Sequence, residues 1–158
     1  MMENATYLIH NATIVNEGDR RVASVMIENG IITQISDHIQ AADTTTVIDA
    51  DGCYLLPGVI DTHVHFRDPG LTHKADFATE SAAAVVGGVT SVVDMPNTKP
   101  QTTTRQLLDD KKQMAAQKSV VNYGFMLGAT NDNIDELLAI DKAEYAAIKL
   151  FLGSSTGN

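Results

Sequence analysis

Apolar and polar positions along the chain follow two different patterns, which change near Pro57. Before this point, short runs rich in β-branched residues alternate with turn-forming residues, a pattern typical of β-strands. The predicted strands are Thr6–Ile9, Ala12–Val15, Val22–Glu28, Ile31–Ser36, Thr46–Asp49 and Cys53–Leu56. Asn29-Gly30 between two of these runs predicts a tight hairpin, because both residues tolerate positive φ. Residues 1–55 are therefore predicted to form a small domain of the β-sandwich type.

After Pro57, predicted strands alternate with predicted helices. The strands are Val59–Phe66, Thr90–Met95, Val120–Leu127 and Ala146–Leu152, and the helices are Lys74–Val86, Arg105–Gln117 and Ile134–Ile140. Thr72 is predicted to cap the first helix and Gly87-Gly88 to end it, and a threonine cluster is predicted to cap the second. This spacing implies parallel strands joined by helical crossovers, in a barrel or in an open doubly wound sheet.

Polar residues that follow the predicted strand ends favour the barrel, because the active site of such barrels lies at that rim. The sequence contains neither a G-x-G-x-x-G motif nor a P-loop. Four strands are predicted, whereas a closed barrel has eight strands in about 250 residues. The predicted fold class is thus α/β, with residues 56–158 forming the first half of a TIM-like (β/α) barrel. We expect the chain to be the N-terminal part of a longer protein.

Composition narrows the classes of function. The 158 residues are 44% apolar and 20% charged, as in a globular protein. The net charge of −9 argues against binding to nucleic acid. A single cysteine, Cys53, excludes an intrachain disulfide and fits a reducing cytoplasm. The sequence shows neither a signal peptide nor an apolar run of about 20 residues, so we expect a cytoplasmic protein without a membrane partner.

The most informative stretch is His63-Val64-His65, which follows the predicted strand that begins at Val59. Two histidines at positions i and i+2 of an extended segment point to the same face, because side chains alternate along a strand. Histidine is the commonest metal ligand among side chains. His63 and His65 are therefore candidate ligands of one metal ion, although an isolated pair with this spacing is more often an ordinary polar or core position.

Lys149 interrupts an apolar run, Ala146–Leu152, that is typical of a strand buried on both faces. Lysine is almost never fully buried unless it is paired. One interpretation is an edge strand whose ammonium group reaches solvent. The other is a lysine made neutral by desolvation, which adds carbon dioxide to become a carbamate that can bridge two metal ions. The histidine pair three predicted strands earlier favours the second interpretation.

Two further residues are candidates for binding an anionic substrate. Arg67 follows the histidines with the same parity, and its guanidinium can form two parallel hydrogen bonds with a carboxylate. The alternative for Arg67 is an ordinary surface position. Asn97 follows the second barrel strand and offers amide donors and acceptors, whereas the alternative is a turn-forming residue next to Pro96.

Other polar residues in this region have less defined roles. Asp61 shares the face of the histidines, so it is expected either to orient an imidazole or to anchor a backbone turn. His73 is interpreted as a loop residue. Asp94 is interpreted as a residue of the rim and is assigned no role.

Three motifs are specific when taken together: Asp61–Lys74 (DTHVHFRDPGLTHK), Gly87–Thr90 (GGVT) and Met95–Pro100 (MPNTKP). They closely resemble dihydroorotases of the amidohydrolase superfamily. Hydantoinases and allantoinases share the D-x-H-x-H pattern, whereas the Arg-Asp-Pro-Gly loop and the Met-Pro-Asn-Thr sequence are similar to those of dihydroorotases. The resemblance covers essentially the whole chain, including the predicted β domain.

The resemblance implies a zinc-dependent hydrolase that interconverts dihydroorotate and N-carbamoyl-aspartate in pyrimidine biosynthesis. It implies that His63 and His65 bind one zinc ion, which a carboxylated Lys149 bridges to a second. It also implies that Arg67 and Asn97 hold the carboxylate of the substrate. Two such ions would lower the pKa of a water molecule and polarise the ring carbonyl.

The family's acid/base aspartate and the remaining histidine ligands are expected after residue 158. We therefore expect the chain alone to be inactive or nearly so. Three alternatives stay open: a hydantoinase or allantoinase, a non-catalytic dihydroorotase-like subunit, and a truncated product without a function of its own. The expected partner is a small-molecule substrate, and a homo-oligomeric assembly is left open.

Overall fold

The computed structural model describes residues 5–153 of the chain. The chain divides into two compact units, Met1–Pro57 and Gly58–Asn158. The strands of the first unit are β1 (Thr6–Asn16), β2 (Asp19–Glu28), β3 (Ile31–Ser36), β4 (Thr46–Asp49) and β5 (Tyr54–Leu55). They form one mixed sheet in the order β3-β2-β1-β4, and β5 also pairs with β1. The predicted β character of this unit is confirmed, and a second layer that would make it a sandwich stays a prediction.

Local turn chemistry explains the strand boundaries in the first unit. Asn29 and Gly30 have φ values of 52° and 79° and connect β2 to the antiparallel β3, so the predicted hairpin is confirmed. The prediction of two strands within residues 6–15 is wrong, because the backbone continues through a bulge. At this bulge the pairing with β2 shifts between Ile9 and Ala12, and Asn11 takes up a φ of 54°.

The second unit alternates strands and helices as predicted. Its elements are β6 (Val59–Val64), α1 (Phe77–Val86), β7 (Val89–Asp94), α2 (Arg105–Lys118), β8 (Asn122–Gly128), α3 (Ile134–Ala139), a 3₁₀ turn (Lys142–Glu144) and β9 (Ala147–Lys149). The four strands are parallel and lie in the order β6-β7-β8-β9. None of the helices in residues 5–153 has the length and hydropathy of a membrane-spanning segment.

The core of the second unit lies between the sheet and its helices. Apolar side chains from both layers form one buried cluster, whose members include Phe77, Val92, Leu108, Ala115, Phe125, Leu127 and Leu137. Phe77 packs edge-on against Phe125, with ring centroids 6.0 Å apart. The helices are thereby fixed on the sheet, and the segments that follow the strand ends start from a rigid base.

Two predicted boundaries in this unit are wrong by three residues. The first helix begins after Asp76 instead of Thr72, because the Asp76 carboxylate accepts a hydrogen bond from the Thr79 backbone N–H at 2.8 Å. This bond lowers the pKa of Asp76 below its ordinary value. The last strand is limited to Ala147–Lys149, and it is an edge strand that pairs with β8 within the described part of the unit.

Candidate active site

The two histidines of the His-x-His motif lie at the carboxyl end of β6. His63 belongs to the strand and is exposed, and His65 follows it directly and is half-buried. Their ring centroids are 5.3 Å apart. Two imidazoles bound to one tetrahedral zinc with Zn–N distances of about 2.0–2.1 Å would have centroids roughly 5 Å apart. The spacing of the pair therefore fits a shared metal ion.

Asn97 contacts one of these histidines directly. Its Oδ1 lies 2.9 Å from Nδ1 of His65. Because an amide oxygen can only accept a hydrogen bond, Nδ1 carries the proton and Nε2 keeps its lone pair. Histidines that bind metal ions commonly donate a hydrogen bond from the other ring nitrogen in this way, which fixes the tautomer and the orientation of the ring. Asn97, which the sequence predicts to bind substrate, is in the structure an orienting partner of His65.

Burial lowers the pKa of His65 below its ordinary value, and the hydrogen bond from its ring to Asn97 opposes this effect. The charge of Arg67 adds to the lowering. The imidazole is consequently biased toward the neutral form, which is the form that binds metal ions.

Arg67 occupies an unusual backbone conformation for a residue with a side chain. Its φ is 66°, in the left-handed region, which costs roughly 1–2 kcal/mol. Its Nη1 is buried and has no hydrogen-bond partner among residues 5–153. Buried guanidinium nitrogens are normally paired, so this atom is chemically prepared for an anion. Strain and an unpaired donor together are typical of a ligand-binding position.

The loops that carry these residues are joined to each other. The Lys99 backbone N–H donates to the Pro69 carbonyl oxygen at 3.1 Å. Gly70 has a φ of 81°, and a Cβ at this position would overlap the backbone of Lys99. Glycine is required here by both the dihedral angle and the close approach. The loop after β6 and the loop after β7 are therefore held together next to the histidine pair.

Replacement of Gly70 with alanine is expected to lower the free energy of unfolding by more than about 1–3 kcal/mol, since the new Cβ adds overlap with Lys99 to the strain of positive φ. Gly88 is the matched control, because it has a φ of 85° and open space around the position of a Cβ. Urea unfolding of Gly70→Ala and Gly88→Ala separates the two effects. Equal losses in the two variants would contradict a close contact between the loops.

Two other predicted residues make contacts outside the imidazole rings of the histidine pair. The Asp61 carboxylate accepts a hydrogen bond from the His63 backbone N–H at 3.0 Å, so it anchors the backbone and not an imidazole. Lys149 ends β9, with its Nζ 5.2 Å from the centroid of the Phe151 ring. Across residues 5–153, no cluster of three or more histidine, cysteine, aspartate or glutamate side chains is arranged to hold a metal ion.

The structure also contains a buried ion pair near the histidines, between Asp94 and Lys111, which the sequence did not predict. Asp94 ends β7 and Lys111 lies in α2, and the Lys111 Nζ is 2.6 Å from the Asp94 Oδ2. Both side chains are at most 1% exposed. A signal was available: Lys111 shares the buried face of α2 with Leu108 and Ala115, at spacings of three and four residues.

Comparison with known proteins decides the family. The model of the amidohydrolase family matches residues 54–154. The chain belongs to the amidohydrolase family. It is 41% identical over 150 residues to a dihydroorotase of Methanosarcina acetivorans, a match that covers 94% of this chain and 32% of the relative. It is 36% identical over 150 residues to an allantoinase of Deinococcus radiodurans, with 94% of this chain and 33% of the relative covered.

Solved amidohydrolase structures have the same arrangement of elements. An L-hydantoinase (dihydropyrimidinase) from Arthrobacter aurescens superposes with a TM-score of 0.84 at 29% identity, covering 90% of this chain and 32% of that chain. The chain thus spans about a third of the length of the curated relatives it matches. The parallel sheet of the second unit corresponds to part of a larger fold in these relatives.

Proposed function

We propose that this chain supplies the N-terminal part of a dihydroorotase, which hydrolyses the cyclic amide of dihydroorotate to N-carbamoyl-aspartate and catalyses the reverse cyclisation. The observation that carries the proposal is the buried, unpaired Nη1 of Arg67 beside the His65–Asn97 pair. A substrate carboxylate would satisfy this donor. The similarity to dihydroorotases of about 40% identity supports the same substrate class.

The same comparison supports a proposal for the domain organisation. We propose that residues 1–55 form the N-terminal portion of a small β domain and that residues 56–158 form the first half of a (β/α) barrel. The four parallel strands of the second unit are half of the eight that a closed barrel contains. We further propose a cytoplasmic location, in line with the single cysteine of the chain.

The residues of the described chain fit a metal centre. His63 and His65 would hold one zinc ion, which is supported by the 5.3 Å separation of their rings. A carboxylated Lys149, at the carboxyl end of β9, would bridge this ion to a second one. When bound, zinc would supply Lewis-acid polarisation of the amide carbonyl and a water molecule of lowered pKa.

The chain's own residues prepare the site for that chemistry. Asn97 accepts a hydrogen bond from Nδ1 of His65, so the proton stays on Nδ1 and the lone pair of Nε2 is left available for a metal ion. Arg67 would bind the substrate carboxylate with two parallel hydrogen bonds, and this fixes the direction of the ring. Orientation of this kind contributes to catalysis, because the reacting amide is then presented in one position.

Steady-state assays test the proposal. A full-length protein that carries these residues is expected to hydrolyse dihydroorotate, and the 158-residue chain alone is expected to be inactive or nearly so. Substantial turnover by the isolated chain would refute the second expectation. Hydrolysis of hydantoin or allantoin without any turnover of dihydroorotate would overturn the first in favour of another cyclic amidase, a class that the allantoinase relatives represent.

The role of Arg67 gives a sharper prediction. In the full-length protein, Arg67→Lys is expected to lower kcat/KM for dihydroorotate about 10–100-fold, mainly through KM, because lysine retains the charge but loses the bidentate geometry. Turnover of hydantoin, which has no carboxylate, should change little. Arg105→Lys, at an exposed position on α2, is the control and should leave both substrates unaffected. An unchanged KM for dihydroorotate in Arg67→Lys would exclude Arg67 as the carboxylate-binding residue.

Carboxylation of Lys149 can be tested separately. Incubation of the protein with ¹³C-labelled bicarbonate should give a ¹³C NMR signal from the carbamate carbon, and this signal should be missing in Lys149→Arg. Lys142 lies on the exposed turn before β9 and provides the control, since Lys142→Arg should keep the signal. A bare amine in zinc-loaded protein would contradict the bridging role.

A further inference from the structure

The buried pair of Asp94 and Lys111 is charged, enclosed and unused by the chemistry described above. Burial lowers the pKa of Lys111, although the charge of Asp94 opposes the effect. Removing two charges from water is costly, and apolar residues of similar size often stabilise a core equally well. The pair therefore calls for an explanation other than stability.

The second oxygen of Asp94 provides that explanation. Asp94 Oδ1 accepts a hydrogen bond from the Phe66 backbone N–H at 2.8 Å. Phe66 lies between His65 and Arg67, two residues after the end of β6, and the pairing of β6 with β7 is irregular between Asp61 and Val64. The Asp94 carboxylate thus accepts the hydrogen bond that a backbone carbonyl of a neighbouring strand would otherwise accept. It does so at Phe66, between the candidate metal ligand His65 and the candidate substrate-binding residue Arg67.

Lys111 connects the same point to the neighbouring loop. Its Nζ donates to the Met95 carbonyl oxygen at 2.8 Å in addition to its contact with Asp94. Met95 lies two residues before Asn97, and its own N–H donates to the Val64 carbonyl oxygen at 3.0 Å. One ammonium group therefore fixes the segment that carries His65 and the segment that carries Asn97.

We infer that Asp94 and Lys111 are positioning residues of the proposed active site: Lys111 holds Asp94, and Asp94 holds the backbone of Phe66, so that His65 keeps its contact with Asn97. The inference rests on the proposed function, because it assigns the pair a role in presenting His65 to a metal ion. Neither residue touches the substrate in this scheme. Their effect is transmitted through the backbone and through the hydrogen bond between His65 and Asn97.

Zinc affinity and amide exchange test the inference in the full-length protein. Lys111→Met is expected to weaken zinc binding about 10–100-fold, measured by competition with a chelator, as is usual when a residue behind a metal ligand is lost. Hydrogen exchange of peptides that contain Phe66 should become faster. Leu108→Ala is the matched control, since it shortens a buried side chain on the same helix while keeping both members of the ion pair, and it should leave the zinc affinity unchanged.

A double variant separates positioning from stability. Asp94→Asn combined with Lys111→Met removes both charges, so it should fold more stably than Lys111→Met alone. Its asparagine is no longer held by an ammonium group, and the weakened zinc affinity should therefore persist. Wild-type zinc affinity in the double variant would overturn the inference. Failure of the wild-type protein to bind zinc would instead overturn the proposed metal site. If hydrogen exchange at Phe66 were unchanged in both variants, Asp94 would not hold the backbone of Phe66, and the inference would be wrong.

Discussion

Replacement of both His63 and His65 with alanine is expected to abolish zinc retention in the full-length protein. It should also lower kcat/KM for dihydroorotate by at least about 10³-fold. Metal catalysis supplies several kcal/mol, and each 1.4 kcal/mol is a factor of ten in rate. A catalytic zinc ion usually has three protein ligands. Removal of two ligands leaves the site unable to hold the ion, whereas removal of one leaves partial binding. The single variants should therefore retain some zinc at high metal concentration.

Metal content after dialysis and steady-state kinetics measure this effect together. His38→Ala is the control, because it removes an exposed histidine from the first unit and should keep both zinc and activity. Circular dichroism establishes that the double variant is folded, as expected when the exposed His63 and the half-buried His65 are shortened. Full zinc content in the folded double variant would place the metal ion elsewhere and remove the basis of the proposed mechanism.

Features encoded by neighbouring residues could be predicted from the sequence. The hairpin at Asn29-Gly30 is specified by two residues that accept positive φ, and the structure confirms it. The cap of α2 is likewise local: the Thr104 side chain accepts a hydrogen bond from the Leu107 N–H. The predicted cap at Thr72 is wrong because an equally local signal, Asp76, directly precedes Phe77 and caps α1.

The site is divided in the same way between local and distant information. The spacing of His63 and His65 is a local pattern, and it predicted that the rings lie on the same side of the strand. The contact between His65 and Asn97 joins residues 32 positions apart, so it depends on how β6 pairs with β7. The sequence alone contains the two residue types but not the register that brings them together.

Lys111 shows why the buried ion pair with Asp94 could not be predicted from the sequence. It lies in the run Asp109-Asp110-Lys111-Lys112, whose two acidic and two basic residues are typical of a solvated helix face. The next residue, Lys112, has such a position and reaches Asp109 and Glu144. The helical phase relative to Leu108 was the distinguishing signal, and it becomes decisive only when a carboxylate from β7 is known to lie beneath α2.

Lys111→Met is expected to lower the free energy of unfolding of the chain by about 3–5 kcal/mol, because it leaves the Asp94 carboxylate buried without its counter-charge. Urea denaturation measures the loss. Lys112→Met is the matched control on the same helix, and it should cost at most about 1 kcal/mol, since its ion pairs are partly exposed to solvent. Asp94→Asn in the Lys111→Met background should recover most of the loss. Equal stabilities of Lys111→Met and Lys112→Met would mean that Asp94 is hydrated or protonated in the folded state, and the pair could not then hold the backbone of Phe66.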